Sequence, residues 1–141
     1  MRLLRLIVLL LLSTASLCQA ALPPRSGADL RRDARVVAVG VVENVATAEE
    51  RRANGFIDKI YRLRIRVETA EKGAPPATLT ARGWNILSRP PGWVGPAGVY
   101  GLGEISAGQR VRVYLKSGHS HSEYDLLEPN GIEPLAARPV H

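Results

Sequence analysis

The chain has 141 residues, of which 19 are basic and 13 acidic, giving a formal net charge of +6. Cys18 is its only cysteine. A chain of this length suits one domain. A single cysteine excludes a framework of internal disulfides, so the fold must be stabilised by apolar packing.

Residues 1–20 have the three parts of a cleavable secretory signal peptide. Arg2 and Arg5 form a positive start, an apolar stretch follows, and Cys18 and Ala20 place small residues at the two key positions before a cut after Ala20. The apolar stretch of about ten residues is shorter than the roughly twenty that span a bilayer. The pattern predicts an exported protein, periplasmic or secreted, without a transmembrane span in its mature form.

Cys18 leaves a second interpretation open, in which it becomes the acylated first residue of a lipoprotein. The residue before a lipidated cysteine is usually small, whereas Leu17 is bulky, so a cut after Ala20 is favoured. That cut leaves 121 residues with no cysteine and a net charge of +4. A mild positive charge favours anionic lipid headgroups or acidic polysaccharide, and export argues against nucleic acid as a partner.

The mature chain divides into three parts by composition. Residues 21–33 are rich in proline and charge and are predicted to form a linker that finishes in a short helical turn. Residues 34–136 carry the strand patterns of a β domain, and residues 137–141 form a C-terminal tail. The chain is therefore predicted to hold one folded domain.

Alternation of apolar and polar residues predicts about five short strands. Gly40 lies inside the first, a β-branched run, and indicates a bulge or a sharp bend. The predicted strands are 36–42, 61–68, 78–81 with an extension towards Ile86, 110–116, and a last strand or hairpin around Asn130 and Gly131.

Two segments are predicted to lack regular structure. Residues 46–54 are expected to form a charged loop or a single helical turn. Residues 88–107 are rich in glycine and proline and carry Trp93 and Tyr100, and loops of this length are often functional. These aromatic residues either contact a ligand or fold back to cap an open end of a barrel, and capping is the favoured interpretation.

These patterns indicate an all-β fold, a small five-stranded OB-like barrel after an N-terminal signal helix. The valine-rich run 36–45 around Gly40, the strand that ends at Lys72 and Gly73, and the strand 108–115 resemble strands of the netrin-like modules, which include the tissue inhibitors of metalloproteinases. The resemblance implies the fold and a binding role. Inhibitory members rely on a cysteine at the mature terminus, where this chain has Ala21, so their inhibitory mechanism is not implied.

A basic stripe is predicted on the polar faces of two strands, formed by Arg62, Arg64, Arg66, Arg110, Arg112 and Lys116. If the two strands share a sheet, these side chains form one surface suited to phosphate or carboxylate groups. The favoured alternative is that they solvate the outside of the barrel and pair with Glu43, Glu68 and Glu71.

His119 and His121 are weak candidates for a metal site, with Glu123 as a third ligand. They lie in a turn rich in serine and glycine, so neither a metal nor another cofactor is predicted. The sequence contains no Gly-x-Ser-x-Gly motif and no phosphate-binding loop. No catalytic residue is therefore predicted.

The sequence as a whole favours an exported binding module whose partner is a protein or an anionic lipid or polysaccharide. Arg62, Arg64, Arg66, Arg110 and Arg112 are its candidate contact residues, together with Trp93 and Tyr100 of the long loop. The alternative is a small hydrolase or metal-dependent enzyme that combines the 88–107 loop with His119 and His121. A structural piece of a larger envelope assembly is the third interpretation.

Overall fold

The computed structural model describes residues 22–93, 95 and 97–140. Its elements are helix α1 (Gly27–Asp33), β1 (Val36–Arg51), β2 (Ile57–Lys72), β3 (Thr78–Ser88), a 3-10 turn (Leu102–Glu104), β4 (Arg110–Ser117), β5 (Glu123–Leu126) and β6 (Ile132–Pro134). The predicted signal peptide and Cys18 lie outside the described residues. Within those residues, no helix has the length and apolar character needed to cross a membrane.

Five strands close into a ring. β1 pairs with β2 on one side and β4 on the other, β2 pairs with β3, β3 runs parallel to β5, and β5 returns to β4. β6 pairs with β4 as well. The all-β, barrel-like fold is therefore confirmed, and the predicted last strand or hairpin is two short strands that both pair with β4.

The bend in β1 allows this closure. β1 shifts its register against β2 at three places, one of them between Val39 and Gly40. A Cβ at Gly40 would lie 2.4 Å from the backbone oxygen of Arg66, so only glycine fits here. The predicted bulge is confirmed, and it lets residues 36–41 pair with β4 while the strand continues along β2.

The inward side chains of the ring form the core. Those with at most 1% of their surface exposed include Val42 of β1, Leu63 and Ile65 of β2, Leu79 and Ala81 of β3, and Val111, Val113 and Leu115 of β4. β-branched and leucine side chains on alternate positions of every strand meet at the centre, as in other closed barrels. The core therefore follows the period-two pattern of the sequence.

The 88–107 loop closes one end of the ring. Val99 and Leu102 are fully buried in the core. Gly83 of β3 provides the space for this packing, because a Cβ there would lie 2.6 Å from Cδ1 of Leu102. The loop therefore caps the barrel, although its aliphatic side chains do so instead of its two aromatic ones.

β1, β2 and β3 continue past the ring as a three-stranded arm, formed by residues 43–51, 57–64 and 83–88. β4 begins opposite Val41, whereas β1 stays paired with β2 as far as Arg51. The prediction of a loop or helical turn at 46–54 is wrong for 46–51, which is strand, and right for 52–54, which lies in the β1–β2 turn. Pairing with β2 overrides the local propensity, and the charged residues belong to an exposed strand edge, where charge discourages pairing with other chains.

The helical turn predicted at the end of 21–33 is confirmed as α1. The helix packs onto the outside of the barrel in a second apolar cluster of Leu30, Ala34, Val37, Tyr114 and Leu127. The backbone N–H of Arg25 also donates to Oδ1 of Asn130, at 2.9 Å. Much of this segment is thus fixed to the domain.

Replacing Gly40 with alanine tests how the ring closes. Because the new Cβ would meet the backbone of β2 and not a movable side chain, we expect Gly40→Ala to lower the free energy of unfolding by about 2 kcal/mol or more. Urea denaturation measures it. Gly27→Ala is the matched control, since its Cβ would lie an ordinary 3.6 Å from the Tyr114 hydroxyl at the start of a helix; equal stability of the two variants would contradict this account.

Candidate functional site

The two rows of arginines lie on one surface, on either side of β1. Arg66 of β2 and Arg110 of β4 are both register partners of Val41. Register partners point to the same face of a sheet. The polar faces of β2 and β4 therefore join across β1, which is the geometric condition for the predicted basic stripe.

Carboxylates are interspersed through the stripe. The pairs are Arg62 with Glu123 at 3.6 Å, Arg64 and Arg66 with Glu43 at 3.3 and 3.6 Å, Arg110 with Glu68 at 3.0 Å, and Arg112 with Glu71 and Glu133 at 3.1 and 3.0 Å. Glu43, Glu68 and Glu71 are the partners expected if these arginines solvate the barrel. A surface of alternating charge gives an anionic ligand little net attraction.

Glu71 joins three elements of the structure. Arg112 of β4 donates to its carboxylate from Nε and Nη2, and Arg31 of α1 donates from Nη2 at 2.7 Å. These hydrogen bonds, that of Arg112 foremost, lower the pKa of Glu71. The hydrogen bonds that Arg112 donates to Glu71 and, second in size, to Glu133 raise the pKa of Arg112. This part of the stripe holds the helix to the barrel.

His119 and His121 lie in the exposed loop between β4 and β5. They line a shallow cavity of about 510 Å³ with Arg35, Ser117, Gly118 and Ser120. Across residues 22–93, 95 and 97–140, no three His, Cys, Asp or Glu side chains are grouped to hold a metal ion. The residues that line this cavity are Arg35, the last residue of β4 and residues of the turn after it, and none of them belongs to the 88–107 loop.

Trp93 and Tyr100 occupy different places in the long loop. The hydroxyl of Tyr100 donates to the backbone oxygen of Leu22 at 2.6 Å, which fixes the start of the described chain. Trp93 keeps 40% of its surface exposed. It packs edge to face against Phe56, with ring centroids 4.8 Å apart. Trp93 also lines a cleft.

This aromatic cleft lies at the tip of the arm, between the β1–β2 turn and the second half of β3. Its volume is about 240 Å³, and its lining residues are Arg52, Asn54, Phe56, Trp84, Ile86 and Trp93. The guanidinium of Arg52 lies 5.8 Å from the ring centroid of Phe56 and 5.3 Å from that of Trp84. These are cation–π distances. The cleft therefore combines aromatic surface with one fixed positive charge.

Asp58 holds Arg52 in this position. Its side chain is buried, with 3% of the residue exposed, and its Oδ2 accepts a hydrogen bond from Nε of Arg52 at 2.6 Å. The Arg52 side chain itself remains 44% exposed. A guanidinium fixed on one side by a carboxylate and open on the other can donate hydrogen bonds to a ligand without prior ordering.

A polar cleft adjoins the aromatic cleft at Trp84. Its volume is about 210 Å³, and its lining residues are Arg82, Trp84, Lys116, Asp125, Leu126 and Glu128. The indole Nε1 of Trp84 donates to Oε1 of Glu128 at 2.7 Å. Within the described chain, Nε of Arg82 and Oδ1 of Asp125 are buried and make no hydrogen bond. The side chains of Arg82 and Asp125 are 20% and 24% exposed, so the cleft presents hydrogen-bond donors and acceptors together.

The sequence patterns missed most of these residues. Phe56, the only phenylalanine, follows Asn54 and Gly55, a pair typical of tight turns. Trp84 and Ile86 of β3 lie opposite Ile60 and Asp58 of β2. The side chains of these four residues therefore lie on one outer face of the arm. The turn residues before Phe56 and the apolar positions of β3 are present in the sequence. They indicate a shared surface only when residues 46–51 are recognised as a strand paired with β2.

Comparison with known proteins identifies no relative. No protein-family model, curated protein or solved structure matches this chain. The function is therefore inferred from the fold and from the chemistry of the two clefts.

Protonating Glu71 should release the contacts that it makes with Arg112 and Arg31. Because the pKa of Glu71 is lowered in the folded state, its contribution to stability is present above its unfolded value of about 4.3 and is lost as the pH falls through the folded value. We expect Glu71→Gln to lower the free energy of unfolding by about 1 kcal/mol at pH 7. That difference should vanish at strongly acidic pH.

Urea denaturation across the acidic range measures this effect. Glu133→Gln is the control, because Glu133 also pairs with Arg112 but keeps 51% of its side chain exposed, and its loss should cost less. A difference between wild type and Glu71→Gln that stayed equal at neutral and strongly acidic pH would show that Glu71 does not act through its charge.

Proposed function

We propose that this protein is an exported, OB-like β-barrel that acts by binding a component of the cell envelope, and that the ligand contacts the aromatic cleft. The observation that carries the proposal is Trp93, a large aromatic side chain that stays 40% exposed beside a cleft lined by Phe56, Trp84 and a fixed arginine. Tryptophan and arginine are enriched among the residues that dominate binding energy at interfaces.

The strand order supports an OB-like assignment. The ring runs β1-β2-β3-β5-β4, with the β3–β5 pair parallel and the others antiparallel. OB folds bind their ligands on the face of the second and third strands and on the adjoining loops. Both clefts lie on this face, since Arg82, Trp84 and Ile86 belong to β3 and Phe56 directly precedes β2. The resemblance to netrin-like modules stays a prediction.

Exposure and rigidity both favour the arm as the contact surface. Leu87, next to Ile86 in β3, is 51% exposed and adds apolar surface near the tip. The pair formed by Arg52 and Asp58 fixes a long side chain before any ligand arrives. A site ordered in advance loses less entropy on binding.

The predicted basic stripe gives weaker support for a ligand site. Its five arginines already face carboxylates of the same chain, and an anionic lipid or polysaccharide must displace these to bind. The enzyme alternative requires the 88–107 loop and the two histidines in one site, and among the described residues none from that loop lines the cavity beside the histidines. Binding at the arm needs no such rearrangement.

Replacing Trp93 tests the proposal. Lipid, polysaccharide and protein are prepared separately from the envelope of the cells that make this protein, and retention of each by the immobilised protein is measured. We expect one preparation to be retained and Trp93→Ala to weaken that retention about tenfold or more, as the loss of a dominant interface residue does. Circular dichroism checks that the variant is folded.

Arg64→Ser is the matched control on the stripe. The Arg64 side chain is 64% exposed and contacts Glu43 at the surface, so its loss should leave both folding and retention unchanged. Retention of no preparation would refute the binding function. Retention that depends on Arg64 and not on Trp93 would move the contact surface to the stripe.

A further inference from the structure

We propose that the ligand of the two clefts is a saccharide chain, an inference that rests on the binding function proposed above. The two clefts share Trp84, which lines both of them. A ligand longer than one chemical unit can therefore place one unit in each cleft. Its units must suit aromatic surface at one end and hydrogen-bonding groups at the other.

The aromatic cleft suits a face of C–H groups. Phe56, Trp84 and Trp93 supply π surfaces, which carry partial negative charge and attract polarised C–H groups. Sugar rings present such faces together with hydroxyl groups at their edges. Arg52 and Asn54 at the same cleft can donate hydrogen bonds to those hydroxyl groups.

The polar cleft requires a ligand that donates and accepts. Nε of Arg82 is a buried donor and Oδ1 of Asp125 a buried acceptor, and neither has a partner in the described chain. The Nη1 of Arg82 lies 3.9 Å from that Oδ1, beyond hydrogen-bond distance. A ligand reaches the exposed parts of these two side chains, which are 20% and 24% of their surfaces. A hydroxyl group donates and accepts at once, so a sugar hydroxyl can bond to the guanidinium and the carboxylate together.

The charges of the polar cleft disfavour strongly ionic ligands. Arg82 and Lys116 are balanced by Asp125 and Glu128. A polyanion is attracted by the two cations but repelled by the two carboxylates. A polycation is attracted by the carboxylates and repelled by the cations. A neutral ligand with many hydroxyl groups avoids both penalties.

A peptide chain is the less favourable occupant because the strand edge beside the clefts is already paired. The N–H of Val99 donates to the oxygen of Trp84 at 2.9 Å, and the N–H of Ile86 donates to the oxygen of Ala97 at 3.3 Å. An extended peptide gains much of its affinity by adding a strand to a free edge. Here the long loop occupies that edge, which leaves recognition to side chains.

Tryptophan fluorescence provides a direct test. Both tryptophans of the chain line the aromatic cleft, so a saccharide that binds there should change the emission. The purified protein is titrated with soluble oligosaccharides: cello-, malto- and chito-oligosaccharides as neutral probes and oligogalacturonate as an acidic one. We expect a saturable change with at least one neutral probe below about 10 mM, the range of weak but specific binding.

Two matched variants test whether the ligand that changes the tryptophan emission also contacts the polar cleft. We expect Arg82→Met to weaken the affinity for that probe roughly tenfold, because the guanidinium that donates to the ligand is lost. Arg64→Met makes the same change on the neighbouring strand, at a side chain that lines neither cleft, and should bind as wild type does. Asp125→Asn provides a second test of the cleft if Arg82→Met does not fold.

Three results would overturn the saccharide proposal. They are no emission change with any oligosaccharide, binding of oligogalacturonate alone, or equal weakening by Arg82→Met and Arg64→Met. If the protein still retains an envelope protein or lipid through Trp93, the binding function stands and only the ligand class is wrong. If it retains nothing, both proposals fail together.

Discussion

The close approach of two backbones at Gly40 determines the shape of this protein. A Cβ there would lie 2.4 Å from the oxygen of Arg66, so the strand bends only because that position has no side chain. The bend lets one strand pair with β2 and β4 together, which closes the ring and buries an aliphatic core. Strand pairing and this apolar core hold the ring together.

Unequal strand lengths give this closed barrel an arm. β1 and β2 have 16 residues each, whereas β4 has eight, so three strands extend past the ring as the arm. On the outer face of the arm, Phe56, Trp84 and Trp93 line one cleft together with Arg52. The long loop packs Val99 and Leu102 into the barrel and keeps Trp93 outside. The same loop therefore caps the barrel and lines the aromatic cleft.

The period-two pattern was enough to predict β2 and β4, whose buried and exposed positions largely alternate. β1 was predicted from its β-branched run, which is buried on both faces over 36–39, and its glycine predicted the bulge. The extent of β1 could not be read in the same way. Residues 46–51 are exposed on both faces, so no apolar period marks them, and only their pairing with β2 makes them a strand. The clefts depend on that pairing. The arginine stripe was visible in sequence, but its neutralisation by Glu43, Glu68 and Glu71 requires the register of three strands.

The central claim is that ligand contacts lie on the arm and not on the stripe. Hydrogen–deuterium exchange, measured with and without the envelope preparation that the protein retains, tests this most directly, because bound surfaces exchange more slowly. Slower exchange is expected at residues 52–58 and 82–87, with residues 64–66 and 110–112 unchanged. Protection confined to 64–66 and 110–112 would contradict the account and place the ligand on the stripe.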